Sequence, residues 1–197
     1  GWRIISVECD GALKIMKENS IGDMAWDTSN SNNWNRPASL NTYLNGDYYN
    51  SLTSTAQGQI VEGTYYAGGV TDDNNDMQDQ ISDEKAVTSK VKVALPTLSE
   101  YLRANSNKEQ CGTYRLNHSN YSTCKNSDWM FNNDLWWTLS PRSGSSSRVF
   151  HVNNTGTVGS GYGAYTTYNA VRPAITLSSE VQITGGTGTQ SDPYTIE

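Results

Sequence analysis

"SPRSGSSSRVFHVNNTGTVGSGYGAYTTYNAVRP" runs from Ser140 to Pro173. It holds few aliphatic side chains, yet its turn residues recur at the spacing of β-structure. Phe150 and Val152 share one strand parity and face the core, while Val149, His151 and Asn153 take the other face. Asn154-Thr155-Gly156 permits a turn, and Val158 continues on the return strand. Val171, Ile175 and Leu177 then fit a final core strand. The off-core positions between carry Arg, His, Asn, Ser, Thr and tyrosines. Such a surface, placed just before the last core strand, points to contact with a partner rather than to chemistry.

The remaining 163 of the 197 residues supply the frame for that surface. Hydrophobic residues make up 35%, a low share, but six Trp and twelve Tyr provide buried area that a disordered chain lacks. "WRIISVECDGALKIMK" reads as a hairpin turning at Asp10-Gly11. Trp26 and Trp34 stand in "DTSNSNNWN", where Ser and Asn favour side-chain-to-backbone bonding, and the rings are expected to pin a loop to the body. Ser39 is placed to cap a helix through about Tyr49, and Thr53 to Val61 is expected as a second short helix. "GGVTDDNNDMQDQISDEK" is acidic and poorly periodic, an exposed loop. Val91 to Leu95 reads as a strand ending at Pro96. Thr97 with Glu100 three residues on is a capping-box pattern opening a helix with Leu98, Tyr101 and Leu102. Residues 178–197 read as an edge hairpin. The order predicts one α+β domain over residues 1–197, with two or three short helices packed on an antiparallel sheet and long loops.

Net charge of −6 with no Lys/Arg run argues against nucleic acid as partner, and no stretch is apolar enough for direct membrane contact. Of three cysteines, Cys111 and Cys124 bracket "CGTYRLNHSNYSTC". A bridge there would stabilise the fold by about 3 kcal/mol and imply an oxidising, extracellular location. The alternative is two unpaired thiols; a zinc site is disfavoured, since His118 alone lies nearby. Cys9, in strand context, is expected as a buried inert thiol. Starting at Gly1-Trp2-Arg3 without Met, the chain is expected to follow a leader, an anchor or an upstream strand.

"WTLSPRS" (Trp137–Ser143), "VNNTGTV" (Val152–Val158) and "VRPAITLSS" (Val171–Ser179) together resemble a family of uncharacterised surface proteins from Gram-positive gut bacteria. "WRII" and "YLNGDYYNSL" extend that resemblance over nearly the whole chain. More distantly, "LPTLSEYLRA" resembles the helix start of the C-type-lectin fold of the formylglycine-generating-enzyme type. Retroelement-diversified receptor-binding proteins share that fold and display variable Asn, Ser, Tyr and Asp just before the last strand. The resemblance implies a C-type-lectin-like fold whose late loops form a ligand surface.

Arg142, Ser145, Arg148, His151, Asn153, Tyr162, Tyr165, Tyr168 and Asn169 are the candidate ligand-binding residues. Tyr offers contact area at low entropic cost, and Ser, Gly and Asn offer adaptable hydrogen bonds. The competing reading is a solvated loop whose tyrosines pack onto the sheet. Arg172 is expected as a structural ion-pair partner. Asp72, Asn74 and Asp76 have the opening spacing of a calcium loop but lack its sixth-position Gly, so a solvated loop competes with calcium as cofactor. Asn117, Asn120 and Asn153 lie in N-x-S/T sequons. Catalysis is not expected, because neither His has a nucleophilic partner in sequence and no Cys follows Cys124. The expected function is recognition of a host or bacterial surface glycan or protein. The alternative is a filament or pilus subunit that self-assembles by strand addition through "SDPYTIE".

Overall fold

The computed structural model describes residues 1–72, 76–111, 121–189 and 191–197. The two apolar runs around Asp10-Gly11 become β1 (Trp2–Val7) and β2 (Leu13–Lys17), an antiparallel pair. Gly11 takes φ +87°, which its missing Cβ permits, and Asp10 accepts the Ala12 N–H at 3.0 Å. Cys9 lies beside this turn and is exposed, not buried as its strand context suggests, because β1 ends at Val7.

The last core strand runs through the middle of the main sheet. β10 (Ala174–Leu177) pairs antiparallel with β2 on one side, Ile175 opposite Ile15. Its other side is shared by two short strands. β3 (Ile60–Val61) meets Thr176 and Leu177, and β6 (Val93–Ala94) meets Ala174 and Ile175. Beginning, middle and end of the chain thus meet on four residues. A second sheet holds β7 (Trp136–Pro141), β8 (Val149–Val152) and β9 (Val158–Gly159). β4 (Gly63–Tyr66) with β5 (Thr88–Val91) and β11 (Ile183–Gly185) with β12 (Thr195–Ile196) form two-stranded ribbons, the second being the expected edge hairpin. The architecture is α+β and mostly antiparallel.

Helices are short. α1 (Ser39–Tyr43) passes through a π-helical turn (Leu44–Tyr48) into α2 (Tyr49–Ser51). Its cap position is Ala38, one residue before the expected Ser39, whose hydroxyl instead accepts the Thr28 N–H at 2.9 Å. Thr53 caps α3 (Ser54–Gln59), and the chain leaves that helix at Ile60 to enter the sheet. The acidic stretch expected as a loop forms α4 (Met77–Lys85), capped by Asp76. Apolar periodicity misses α4 because its buried positions are polar: Gln80 and Glu84, one turn apart, face inward. α5 (Leu98–Arg103) has the expected capping box, and α6 (Lys108–Cys111) and α7 (Tyr121–Asn126) carry the Cys111–Cys124 disulfide, Cα atoms 5.5 Å apart.

β7 is buried at all six positions, and aromatic contacts close over it. The Trp26 indole donates to the Thr138 carbonyl at 3.1 Å and lies 5.0 Å from Trp34. Trp137 donates to the Met24 carbonyl at 2.9 Å, and Tyr101 meets Trp136 edge-on at 5.7 Å. The loop of Trp26 and Trp34 is therefore pinned as the sequence suggests. Arg172 is also buried, but as a cation over the Trp136 ring, 5.0 Å from its centre, donating to the carbonyls of Met130 (2.5 Å) and Lys17 (3.3 Å). Among the described residues no salt bridge holds it, contrary to the ion pair expected. Nearby, burial pushes the Asp128 carboxyl up to about 7.

Polar side chains tie these layers together. Glu100 accepts the Thr97 N–H at 2.8 Å and the Lys14 ammonium at 2.5 Å, joining α5 to β2. Glu84 accepts the Ser140 hydroxyl at 2.7 Å and the N–H and hydroxyl of Ser99, joining α4, α5 and β7. Burial raises the Glu84 carboxyl above its usual range, against the lowering by those hydrogen bonds. Replacing Lys14 with Ala would strand the Glu100 carboxylate in a site 9% exposed. Lys14→Ala is expected to lower unfolding stability in urea by about 3 kcal/mol. Lys14→Met with Glu100→Gln is expected to recover most of that loss.

Candidate functional site

The late loops are built onto one asparagine. The Asn32 side-chain amide donates to three carbonyls of the loop after β7: Arg142 (3.3 Å), Ser145 (2.8 Å) and Arg148 (3.0 Å). The Asn32 backbone N–H donates to Ser146 at 3.0 Å. Asn32 is itself positioned by Asp27, whose carboxylate accepts from Ser29, from the Ser31 N–H and from the Ser39 N–H. Asp27 also donates its N–H to the Ala164 carbonyl at 2.9 Å. One Asx-rich segment thus buttresses both halves of the late region. Sequence reading flags its local bonding but misses its partners, which lie more than a hundred residues away.

A second strap comes from the acidic segment. Val70 donates to the Pro141 carbonyl and accepts the Ser143 N–H. Beyond it, Asp72 pairs with Arg142 at 2.6 Å and accepts the Ser160 hydroxyl at 2.6 Å. Asp76 caps α4 through the N–H groups of Gln78 and Asp79. Two of the three residues with calcium-loop spacing are therefore engaged by the protein, and Asn74 lies outside the described residues. Among the described residues no cluster of His, Cys, Asp or Glu is placed to hold a metal ion.

The candidate residues divide by burial. His151 is 3% exposed and Asn169 fully buried, and neither reaches solvent as a ligand contact would. The parity argument fails at His151 because β8 is covered on both faces: all four of its residues are buried. Tyr162 stacks on the imidazole at 4.4 Å, and Trp137 meets it edge-on from beneath at 6.1 Å. Gly159 is required here, since a Cβ would lie 2.5 Å from His151 Nε2. Asn153 is half-buried and spends its amide on Thr157 within its own turn, where Gly156 has φ +85°. Its sequon is thus part of a hairpin, while Asn117, Asn120 and His118 lie outside the described residues. The Ser145 hydroxyl accepts the N–H groups of Ser147 and Arg148.

Outward-facing groups remain. Tyr165 and Tyr168 are 60% and 55% exposed, and Arg148 is exposed. Tyr168 rests edge-on against Tyr162 at 5.4 Å. An aromatic column therefore rises from Trp137 through His151 and Tyr162 to Tyr168, fixing the outer rings at small entropic cost. Elsewhere, a groove of about 640 Å³ lies between β1 and the terminal hairpin, lined by Trp2, Ile4, Leu13, Ile15, Trp129 and Tyr194. None of the late tyrosines borders it. No helix among the described residues is long and apolar enough to cross a membrane.

Burial holds His151 down to about 4, so it is a neutral packing group at neutral pH. Unfolding restores an ordinary His, which binds a proton that the folded form refuses. Its contribution to stability is complete above about 6.5 and is lost as pH falls toward 4. Asp128, raised to about 7, acts oppositely: its folded form holds a proton that the unfolded chain has released, so its contribution fades as pH rises from about 4 to 7. The two offset each other in one window. Asp128→Asn is expected to unmask the His151 limb, giving a steeper fall in melting temperature between pH 6.5 and 4.5 than the parent shows.

No curated protein and no solved structure matches the chain. A family model, described as a domain of unknown function (DUF6273), matches residues 10–179, which take in the late loops and all of the main sheet except β1. The chain belongs to that family.

Proposed function

We propose that this chain is a non-catalytic recognition domain of an extracellular, cell-surface protein, binding a glycan or protein ligand through its late loops. The observation that carries the reading is the contrast within residues 142–169. Two tyrosines stand more than half exposed on loops whose backbone is held by Asn32 and Asp27 and whose Arg142 side chain is paired with Asp72. An amphipathic ring held in place loses little entropy on binding. Long, buttressed loops over small antiparallel sheets, next to a central last strand, also fit the lectin-like frame that the sequence resembles. The Cys111–Cys124 disulfide favours an oxidising compartment.

A non-catalytic role draws support from the displaced ionisable groups. Glu84 and Asp128 are buried in the frame, and His151 is buried beneath the Tyr162 ring. Self-assembly through the terminal strand draws less. Ile196 pairs with Ile183 inside its own hairpin, so strand donation would first require that hairpin to open.

The full chain, labelled, is to be measured for binding to bacterial and host cells and to a glycan array. Tyr165→Ala with Tyr168→Ala is expected to weaken binding about tenfold or more while leaving the melting temperature unchanged. Tyr162→Ala is expected to destabilise the fold by about 2 kcal/mol, since that ring covers His151. Undiminished binding by the double variant would overturn the reading.

A further inference from the structure

Residues 147–149 and 162–164 run antiparallel. The Ala164 N–H donates to the Ser147 carbonyl at 2.7 Å, the Val149 N–H to the Tyr162 carbonyl at 3.3 Å, and Arg148 pairs opposite Gly163. Directly opposed residues project to the same face, their Cβ positions about 5 Å apart. Gly163 leaves its half of that face open. A Cβ there would lie 2.8 Å from Tyr165 Cε1 and 2.9 Å from Asn30 Oδ1. The Tyr165 ring and the Asn30 amide therefore occupy the space across from Arg148.

All three side chains are exposed. Among the described residues, neither the Arg148 guanidinium nor the Asn30 amide is engaged by a hydrogen bond or ion pair. Arg142, by contrast, is held by Asp72. Asn30 is presented at φ +57°, its N–H tied to the Asp27 carbonyl at 2.9 Å. The group is thus mounted on the same Asx-rich buttress that fixes the rim.

These parts differ in what they recognise. A guanidinium matches a carboxylate bidentately and is weakly hydrated. A phenol face accepts an apolar C–H surface, and a primary amide both donates to and accepts from hydroxyls. The chain carries a net charge of −6, which disfavours polyanions but leaves a single carboxylate well matched at Arg148. We propose that Arg148, Tyr165 and Asn30 form a subsite for a carboxylate-bearing sugar residue of a glycan. The sugar ring lies on Tyr165, its carboxylate on Arg148 and a hydroxyl on Asn30. This inference rests on the recognition reading above and narrows its ligand.

The test is calorimetric titration of the full chain with two acidic probes and their neutral counterparts: sialyllactose against lactose, and trigalacturonic acid against its carboxyl-reduced trimer. At least one acidic probe is expected to bind about tenfold tighter than its neutral counterpart, and which one does so identifies the source of the carboxylate. Arg148→Gln is expected to abolish that preference, leaving the melting temperature unchanged. Tyr165→Ala is expected to weaken acidic and neutral binding alike. The preference should shrink as salt rises. Equal binding of acidic and neutral probes, or a preference that survives Arg148→Gln, overturns the subsite and leaves the recognition reading standing. So does binding of a protein ligand, through Tyr165 and Tyr168, with no sugar bound. Absence of any ligand, in these titrations and on cells, overturns both.

Discussion

Two buried carboxylates constrain this fold more than any single apolar contact. Glu84 and Glu100 stand on neighbouring helices in a low-dielectric interior, where an unpaired charge would cost several kcal/mol. Each is therefore surrounded by donors from separate elements: Lys14 from β2, Thr97 and Ser99 from the start of α5, Ser140 from β7. Satisfying the two carboxylates fixes where α4, α5, β2 and β7 stand relative to one another. The apolar cluster around Trp26, Trp136 and Trp137 then fills the space so defined.

The late loops inherit their order from this frame. β7 ends at Pro141 and leads into Arg142, where Val70 and Asn32 take hold of the backbone and Asp72 pairs with the Arg142 side chain. A loop tied at both ends and across its middle has already lost the entropy that binding would otherwise cost. What such a region leaves outside is a small number of side chains with defined directions. Tyr165, Tyr168 and Arg148 are the largest of those side chains, while His151, Asn153, Ser145 and Arg142 hold the loops in place.

Local signals were legible in the sequence, and long-range ones were not. Asp10-Gly11, the Thr97/Glu100 capping box and the Asn154–Gly156 turn appear in the structure because each is governed by residues a few positions apart, and the Cys111–Cys124 pair closes a loop of only thirteen positions. α4 escapes because its buried face is Gln80 and Glu84, and the donors that satisfy Glu84 lie on other elements. His151 escaped because alternation assumes one open sheet face, whereas Tyr162 covers it. Arg172 reads as an ion-pair partner, but Trp136 offers it a ring, and Met130 and Lys17 each offer a carbonyl. Of the candidate site, the segment and its tyrosines were readable from composition. Which tyrosines face outward depended on tertiary packing.

The late loops form a prearranged rim, not a floppy surface that happens to be rich in Tyr. Native-state amide hydrogen exchange on the free protein tests this most directly. In a prearranged rim the amides of Arg142, Val149, Asn153 and Ala164, all donors to backbone carbonyls, exchange nearly as slowly as those of β10. Exchange of these amides at the rate of an unstructured peptide, with β10 still protected, would contradict it.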